Sequence, residues 1–178
     1  MDRRRIIAIA ILLAVVVLST MDYAGAFGYQ APDRERYSGA MARVTRVTEG
    51  DTLEVDIPDN SSPVTRFHLQ GIAPVPGAAT EDLQFGQQTL EFIRKAVDRH
   101  PVILSLDPAR RTRDRNRCLL AYLILADSGE LLNQILLERG LADADRRIEH
   151  VYRLQFIERA ARARKASVGL WDRDADIR

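Results

Sequence analysis

The chain has 178 residues, 46% of them hydrophobic, and 26 Lys and Arg against 25 Asp and Glu give a net charge of +1. That length supports one ordinary core and leaves little for a second domain. Near-neutrality excludes a domain that grips nucleic acid by bulk charge, so any phosphate affinity must come from a local patch. A single cysteine, Cys118, excludes an internal disulfide and a thiolate metal centre.

Arg3-Arg4-Arg5 precedes an apolar run from Ile6 to Leu18, followed by Ser19, Thr20, Met21 and Asp22. With the small residues Ala24-Gly25-Ala26, residues 1–26 read as a signal peptide or an N-terminal membrane anchor. The run is shorter than the roughly 20 residues of a spanning helix, and Thr20 and Met21 lengthen it slightly. Cleavage before Phe27 and retention as an anchor both remain open, with membrane contact only through residues 6–21 in the second case. Either outcome predicts an exported domain, periplasmic or extracellular, or held on a membrane outside the cytoplasm. Without Arg3, Arg4, Arg5, Asp2 and Asp22 the remainder is neutral.

Residues 27–40 are polar and read as a linker. From Met41, Val44, Val47, Leu53, Val55 and Ile57 mark two short strands around the turn Glu49-Gly50-Asp51. Pro58 to Pro63 is a second turn, leading into a strand through Val64, Phe67, Leu69 and Ile72. Three short strands in succession suit the meander of a small barrel. A helix is predicted over 84–99, with Phe85, Thr89 or Leu90, Ile93 and Ala96 or Val97 on its buried face and Pro101 beyond it. Strands follow at 102–106 and 119–125, joined by an arginine-rich connector. A helix over 131–138 stops at Gly140. The last helix, 149–167, places Tyr152, Phe156, Ala160 and Ala163 on one side and stops at Gly169, and residues 173–178 form a polar tail.

Glu49-Gly50-Asp51-Thr52-Leu53, Phe67-His68-Leu69-Gln70-Gly71-Ile72, Asp114 through Tyr122 and Gly169-Leu170-Trp171 occur in an ordered, spaced set. Phe85-Gly86-Gln87, Leu132-Asn133-Gln134 and Arg139-Gly140-Leu141-Ala142 fall between them. Over residues 41–172 the chain resembles the staphylococcal (thermonuclease) nuclease family. The resemblance implies an α+β, mainly β fold: a five-stranded oligonucleotide-binding (OB) barrel packed with three α-helices. It also implies a chemistry in which calcium held by carboxylates polarises a phosphodiester, a glutamate activates water, and two arginines neutralise the phosphorane. Matched to that pattern, the first arginine is His68, a metal-binding aspartate is Ala73, the glutamate is Pro76 and the second arginine is Cys118. Asp51 alone keeps its charged group.

Each position has a plain reading beside the functional one. Asp51 is a weak residual calcium ligand or simply a turn residue, because one carboxylate rarely holds calcium. His68 offers a neutral donor where a transition state needs charge. Arg66 shares a strand face with His68 and is the candidate substitute for the first arginine. Glu81 and Asp82 are candidate replacements for the base, or first-turn acids of the following helix. Arg117 replaces the second arginine only if a bulge turns it around. Cys118 reads as a small hydrophobe facing inward. Arg110, Arg111, Arg113, Arg115 and Arg117 form either a solvated hairpin edge or an anion patch for DNA, RNA, membrane headgroups or an acidic protein. No cofactor is expected beyond residual calcium at Asp51.

Fold does not fix function. A general base is worth about 10²–10⁴ in rate and one oxyanion donor about 10²–10³. Changing the base, a ligand and both arginines together therefore predicts a catalytically degenerate module that binds nucleic acid, another anion or a protein. The alternatives are an active calcium-dependent endonuclease with a rearranged site built on Asp51, Arg66, Glu81 or Asp82 and Arg117, and an envelope domain whose barrel carries an interaction surface.

Overall fold

The structure is a computed structural model that describes residues 3–23, 31–73 and 82–172. Helix α1 spans Arg3–Tyr23, and its stretch Arg3–Met21, with mean hydropathy 2.2, is long and apolar enough to cross a membrane. The helix runs past the expected Leu18 boundary. Thr20 does not stop it because its hydroxyl donates to the Val17 carbonyl at 2.8 Å, hiding the polar group within the helix. Ala24 to Ala26, the expected cleavage motif, lie outside the described residues.

The segment expected to be a polar linker is partly folded. Helix α2, Ala31–Tyr37, packs onto the sheet, with Tyr37 fully buried in the core and Asp33 buried beside it. Sequence pattern missed this because seven residues give too short a window for helical periodicity.

Six strands form one sheet: β1 (Met41–Ala42), β2 (Val44–Val47), β3 (Thr52–Val55), β4 (Thr65–Leu69), β6 (Val102–Ser105) and β7 (Leu119–Leu125), in the order β1-β6-β7-β4-β3-β2. All pairs are antiparallel except β4 with β7. β1 and β2, the two ends of this order, are consecutive in the chain and separated only by Arg43, where the ladder shifts from β6 to β3. The arrangement is consistent with the expected OB barrel, with the first predicted strand split in two. A two-stranded ladder, β5 (Ile72–Ala73) with β8 (Asp143–Ala144), was not anticipated; two-residue strands carry no alternation to read.

Helix α3 spans Asp82–Val97, α4 Leu132–Glu138 and α5 Arg153–Lys165, close to the expected ranges. Thr89, Ile93 and Val97 are the buried stripe of α3, and Thr89 is satisfied by donating to the Leu141 carbonyl at 3.0 Å. The stripe meets the inward side chains of the sheet, among them Leu53, Phe67, Leu104 and Leu119, while Leu136 of α4 and Phe156 of α5 complete the cluster. Gly140 and Gly169 explain two of the spaced motifs. Both have positive φ, and a Cβ on Gly140 would lie 2.0 Å from the Val168 carbonyl oxygen. Two turns touch there that side chains would hold apart.

Candidate functional site

The Asp51 carboxylate sits at the tip of the β2–β3 turn. Thr48 donates to the Thr52 carbonyl at 3.0 Å to close the turn, and the Asp51 carbonyl accepts from Leu69 N–H at 2.7 Å, pinning it to the end of β4. One carboxylate oxygen of Asp51 already accepts the Thr52 hydroxyl at 3.0 Å.

Thr52 pairs with His68 across β3 and β4, which places the imidazole beside Asp51. His68 Nδ1 lies 3.6 Å from Asp114 Oδ2, beyond hydrogen-bond distance. The other oxygen of Asp114 accepts from the N–H groups of Asn116 at 2.9 Å and Cys118 at 2.8 Å. These bonds shape a turn in which Arg117 takes φ 64°, a left-handed position.

That turn decides the fate of the candidate arginines. Arg117 is exposed and is not among the residues lining the cleft. Arg66 faces the same side as His68, as alternation requires, but it pairs across the strands with Glu54 at 3.2 Å and is held away from the site. Cys118 is buried, and its thiol donates to the Arg66 carbonyl with Sγ at 3.5 Å. Burial and the nearby Asp114 carboxylate push that thiol up to about 12, so it stays neutral.

A cleft of about 190 Å³ opens over these groups. Asp51, His68, Gln70, Ala73, Asp114, Arg111, Asp145 and Arg147 contribute to its wall. Ala73 pairs with Asp143 in the β5–β8 ladder and presents a methyl group, not an oxygen. Asp145 is drawn in by its N–H bond to the Gly71 carbonyl at 3.0 Å. Arg147 grips both its oxygens, Nε to Oδ1 at 3.0 Å and Nη2 to Oδ2 at 3.0 Å. The Arg147 hydrogen bond holds the Asp145 carboxyl below its ordinary value. Among the described residues no group of three or more His, Cys, Asp or Glu is placed to hold a metal.

A neighbouring cleft of about 440 Å³ shares Gln70, Arg111 and Arg147 and adds Arg110. Gln70 is buried, and its side-chain oxygen has no partner among the described residues. Three arginines, Arg110, Arg111 and Arg147, thus line one continuous rim. Asp114, Asp145 and Arg147 were not picked out as site residues from sequence. Asp145 and Arg147 reach the cleft only through the short β5–β8 ladder, which leaves no periodic trace.

Arg113 is the correction within the arginine cluster. It does not join the exposed patch; it points inward with a 6% exposed side chain. Its guanidinium donates to Asp33, Asp59 and the Arg117 carbonyl through five bonds of 2.7 to 3.1 Å, using its whole set of N–H groups. No capacity is left for a phosphate. Arg110, Arg111 and Arg115 are exposed. Pro76 and Glu81 lie outside the described residues, and Asp82 opens α3.

Gly71 shows how this wall is built. It has φ 79° and lies against the His150 ring, where a Cβ would sit 2.4 Å from Cε1. His150 Nδ1 is 3.0 Å from the Tyr122 hydroxyl, which donates to Asp107 at 3.4 Å. Asp107 also accepts from Val151 N–H at 2.8 Å and fixes the entry to α5.

A family model described as staphylococcal nuclease homologue matches residues 52–173, from the start of β3 to just beyond the final turn. The chain belongs to the staphylococcal nuclease family. No curated protein matches it. Leu69-Gln70-Gly71-Ile72 and Gly169-Leu170-Trp171 both fall within the matched residues, as do His68 and Ala73, which line the cleft, and Cys118, which is buried.

Proposed function

We propose that this chain is an exported or membrane-anchored nuclease-fold module that binds the phosphates of DNA or RNA without hydrolysing them efficiently. The observation that carries this reading is a rim of solvent-facing arginines, Arg147 keeping its Nη1 donors outside its pair with Asp145, over carboxylates already engaged in one cleft. Arg110, Arg111 and Arg147 face solvent along the rim. Asp145 is gripped by Arg147, Asp114 is used by two backbone N–H groups, and Asp51 accepts the Thr52 hydroxyl.

The same donor set does not fit calcium. Calcium takes six to eight oxygens and needs more than one carboxylate free to turn toward it. Ala73 supplies none, so no catalytic step is derived through a metal here. The neutral Cys118 thiol brings no positive charge to a pentacoordinate phosphorus. What remains is recognition of phosphate by forked N–H donors.

Binding of a fluorescent single-stranded oligonucleotide against salt concentration tests the reading. Three phosphate contacts predict a log–log slope of about −2, at roughly 0.7 per contact on a single strand. Arg111→Ala with Arg147→Ala should flatten it by about 1.4. An unchanged slope in that double variant removes the cleft from the binding surface.

A further inference from the structure

A second groove shares no lining residue with the cleft. It runs between β2, the sheet edge, and the last turn of α3, with a volume of about 530 Å³. Its floor is apolar (Val44, Val47, Val97) and its rim is cationic (Arg46, Arg94, Arg99), with Asp98 as the single carboxylate among the described lining residues. Lys95, also on the rim, lies 3.9 Å from Glu91. Arg46, Arg94 and Arg99 form no ion pair among the described residues.

Cations in the last turn of a helix are favoured by its dipole, which accounts for Arg94 and Lys95. It does not account for Arg46, which comes from the sheet edge. Arg99 has φ 60° just beyond α3, where glycine would sit without strain. Charge is therefore concentrated from two elements onto one groove, and at one position against backbone preference.

The cationic rim over an apolar floor matches an anionic amphiphilic surface, and the short chain between α1 and α2 keeps one within reach. Tyr23 ends α1 and Ala31 begins α2, so seven residues join them, a reach of at most about 25 Å when fully extended. With α1 in a bilayer the start of α2 stays within about 25 Å of the membrane surface. We propose that the β2–α3 groove seats on anionic phospholipid headgroups of the membrane that α1 enters. This rests on retention of α1 as an anchor, one branch of the reading above. An anionic surface raises occupancy about fivefold per added cation, so Arg46, Arg94 and Arg99 together are worth about a hundredfold.

Hydrogen exchange of the full chain, reconstituted in nanodiscs of phosphatidylcholine alone or with one third phosphatidylglycerol, tests the proposal. Amides of residues 44–47 and 94–99 should exchange about tenfold more slowly in the anionic discs, and 0.5 M salt should remove the difference. The triple variant Arg46→Gln, Arg94→Gln, Arg99→Gly should exchange alike in both discs; its third change relieves strain, so folding is maintained. Equal rates for the natural chain in the two discs, or protection that survives the triple variant, overturns the groove assignment. Protection by added single-stranded RNA in neutral discs, with none from anionic lipid, gives the groove to nucleic acid and overturns the lipid assignment. A chain that does not stay with either disc overturns the anchor and the proposal together, leaving oligonucleotide binding by the cleft unaffected.

Discussion

Arg113 and Asp33, eighty residues apart, form a two-point ion pair of 2.9 and 2.8 Å with side chains only 6% and 5% exposed. The pair joins α2 to the connector before β7, and Asp59 completes it from the β3–β4 turn. An arginine that reads in sequence as part of a surface patch is the bolt that holds the first folded helix to the sheet.

Removing that guanidinium leaves two carboxylates without their partner. Arg113→Ala should therefore cost about 3–5 kcal/mol, whereas Arg115→Ala, on the exposed turn, should stay within about 0.5 kcal/mol. Chemical denaturation of both variants reads the difference, and equal losses would show that the buried network contributes nothing particular. Burial alone would raise the Asp59 carboxyl, but its bonds to Arg113 outweigh this and hold it below 3.8. Its contribution is thus complete above that value and is lost as pH falls through the lower folded value.

Gly71→Ala should destabilise the chain by about 2–5 kcal/mol, combining overpacking against His150 with the left-handed φ of 79°. Adding His150→Ala should recover the packing part and leave the backbone part. Thermal unfolding of the single and double variants measures both. No recovery in the double variant would place the whole cost in the backbone.

His150 carries the pH dependence near neutrality. Burial lowers its folded value below 6.5, so the unfolded chain takes up the proton first. Stability from this group is present above 6.5 and declines as pH falls from there toward the folded value. Denaturant midpoints between pH 8 and pH 5 should fall, and His150→Gln should flatten that part of the profile. A natural chain whose midpoint is constant over this range contradicts the assignment.

The legible parts of this chain were those with period or ordered motif. Thr89 or Leu90, Ile93 and Ala96 or Val97 announced a buried helix face, of which Thr89, Ile93 and Val97 are the buried members, and alternation correctly placed Arg66 and His68 on one side of β4. Alternation could not say that Glu54 lies opposite Arg66 and takes up its charge. The arginine run was legible as charge but not as direction, because Arg113 is turned inward by Asp33, a residue read as linker. Asp145 and Arg147 enter the cleft through strands of two residues, below any periodic signal. The expectation that Ala73 stands at a metal-binding aspartate position rests on the spaced motifs, which gave each position a counterpart.

Ala73→Asp returns one carboxylate to the wall that Asp51 and Asp114 share. The natural chain should show no rise in unfolding temperature with calcium, and the variant should show one that grows with calcium concentration. Little cleavage should accompany it, since groups that act as a unit fail singly. A calcium-dependent rise in the natural chain would mean that its existing oxygens already bind the ion.

The central claim is that the nuclease scaffold here binds without cutting, and digestion of single-stranded DNA tests it most directly. The full chain, incubated with labelled DNA in calcium and in chelator, should give equal product at the level of a no-protein control, while the same preparation retards the DNA at low salt. Calcium-dependent cleavage that Asp51→Ala abolishes would contradict the account and place a working, rearranged site in this cleft.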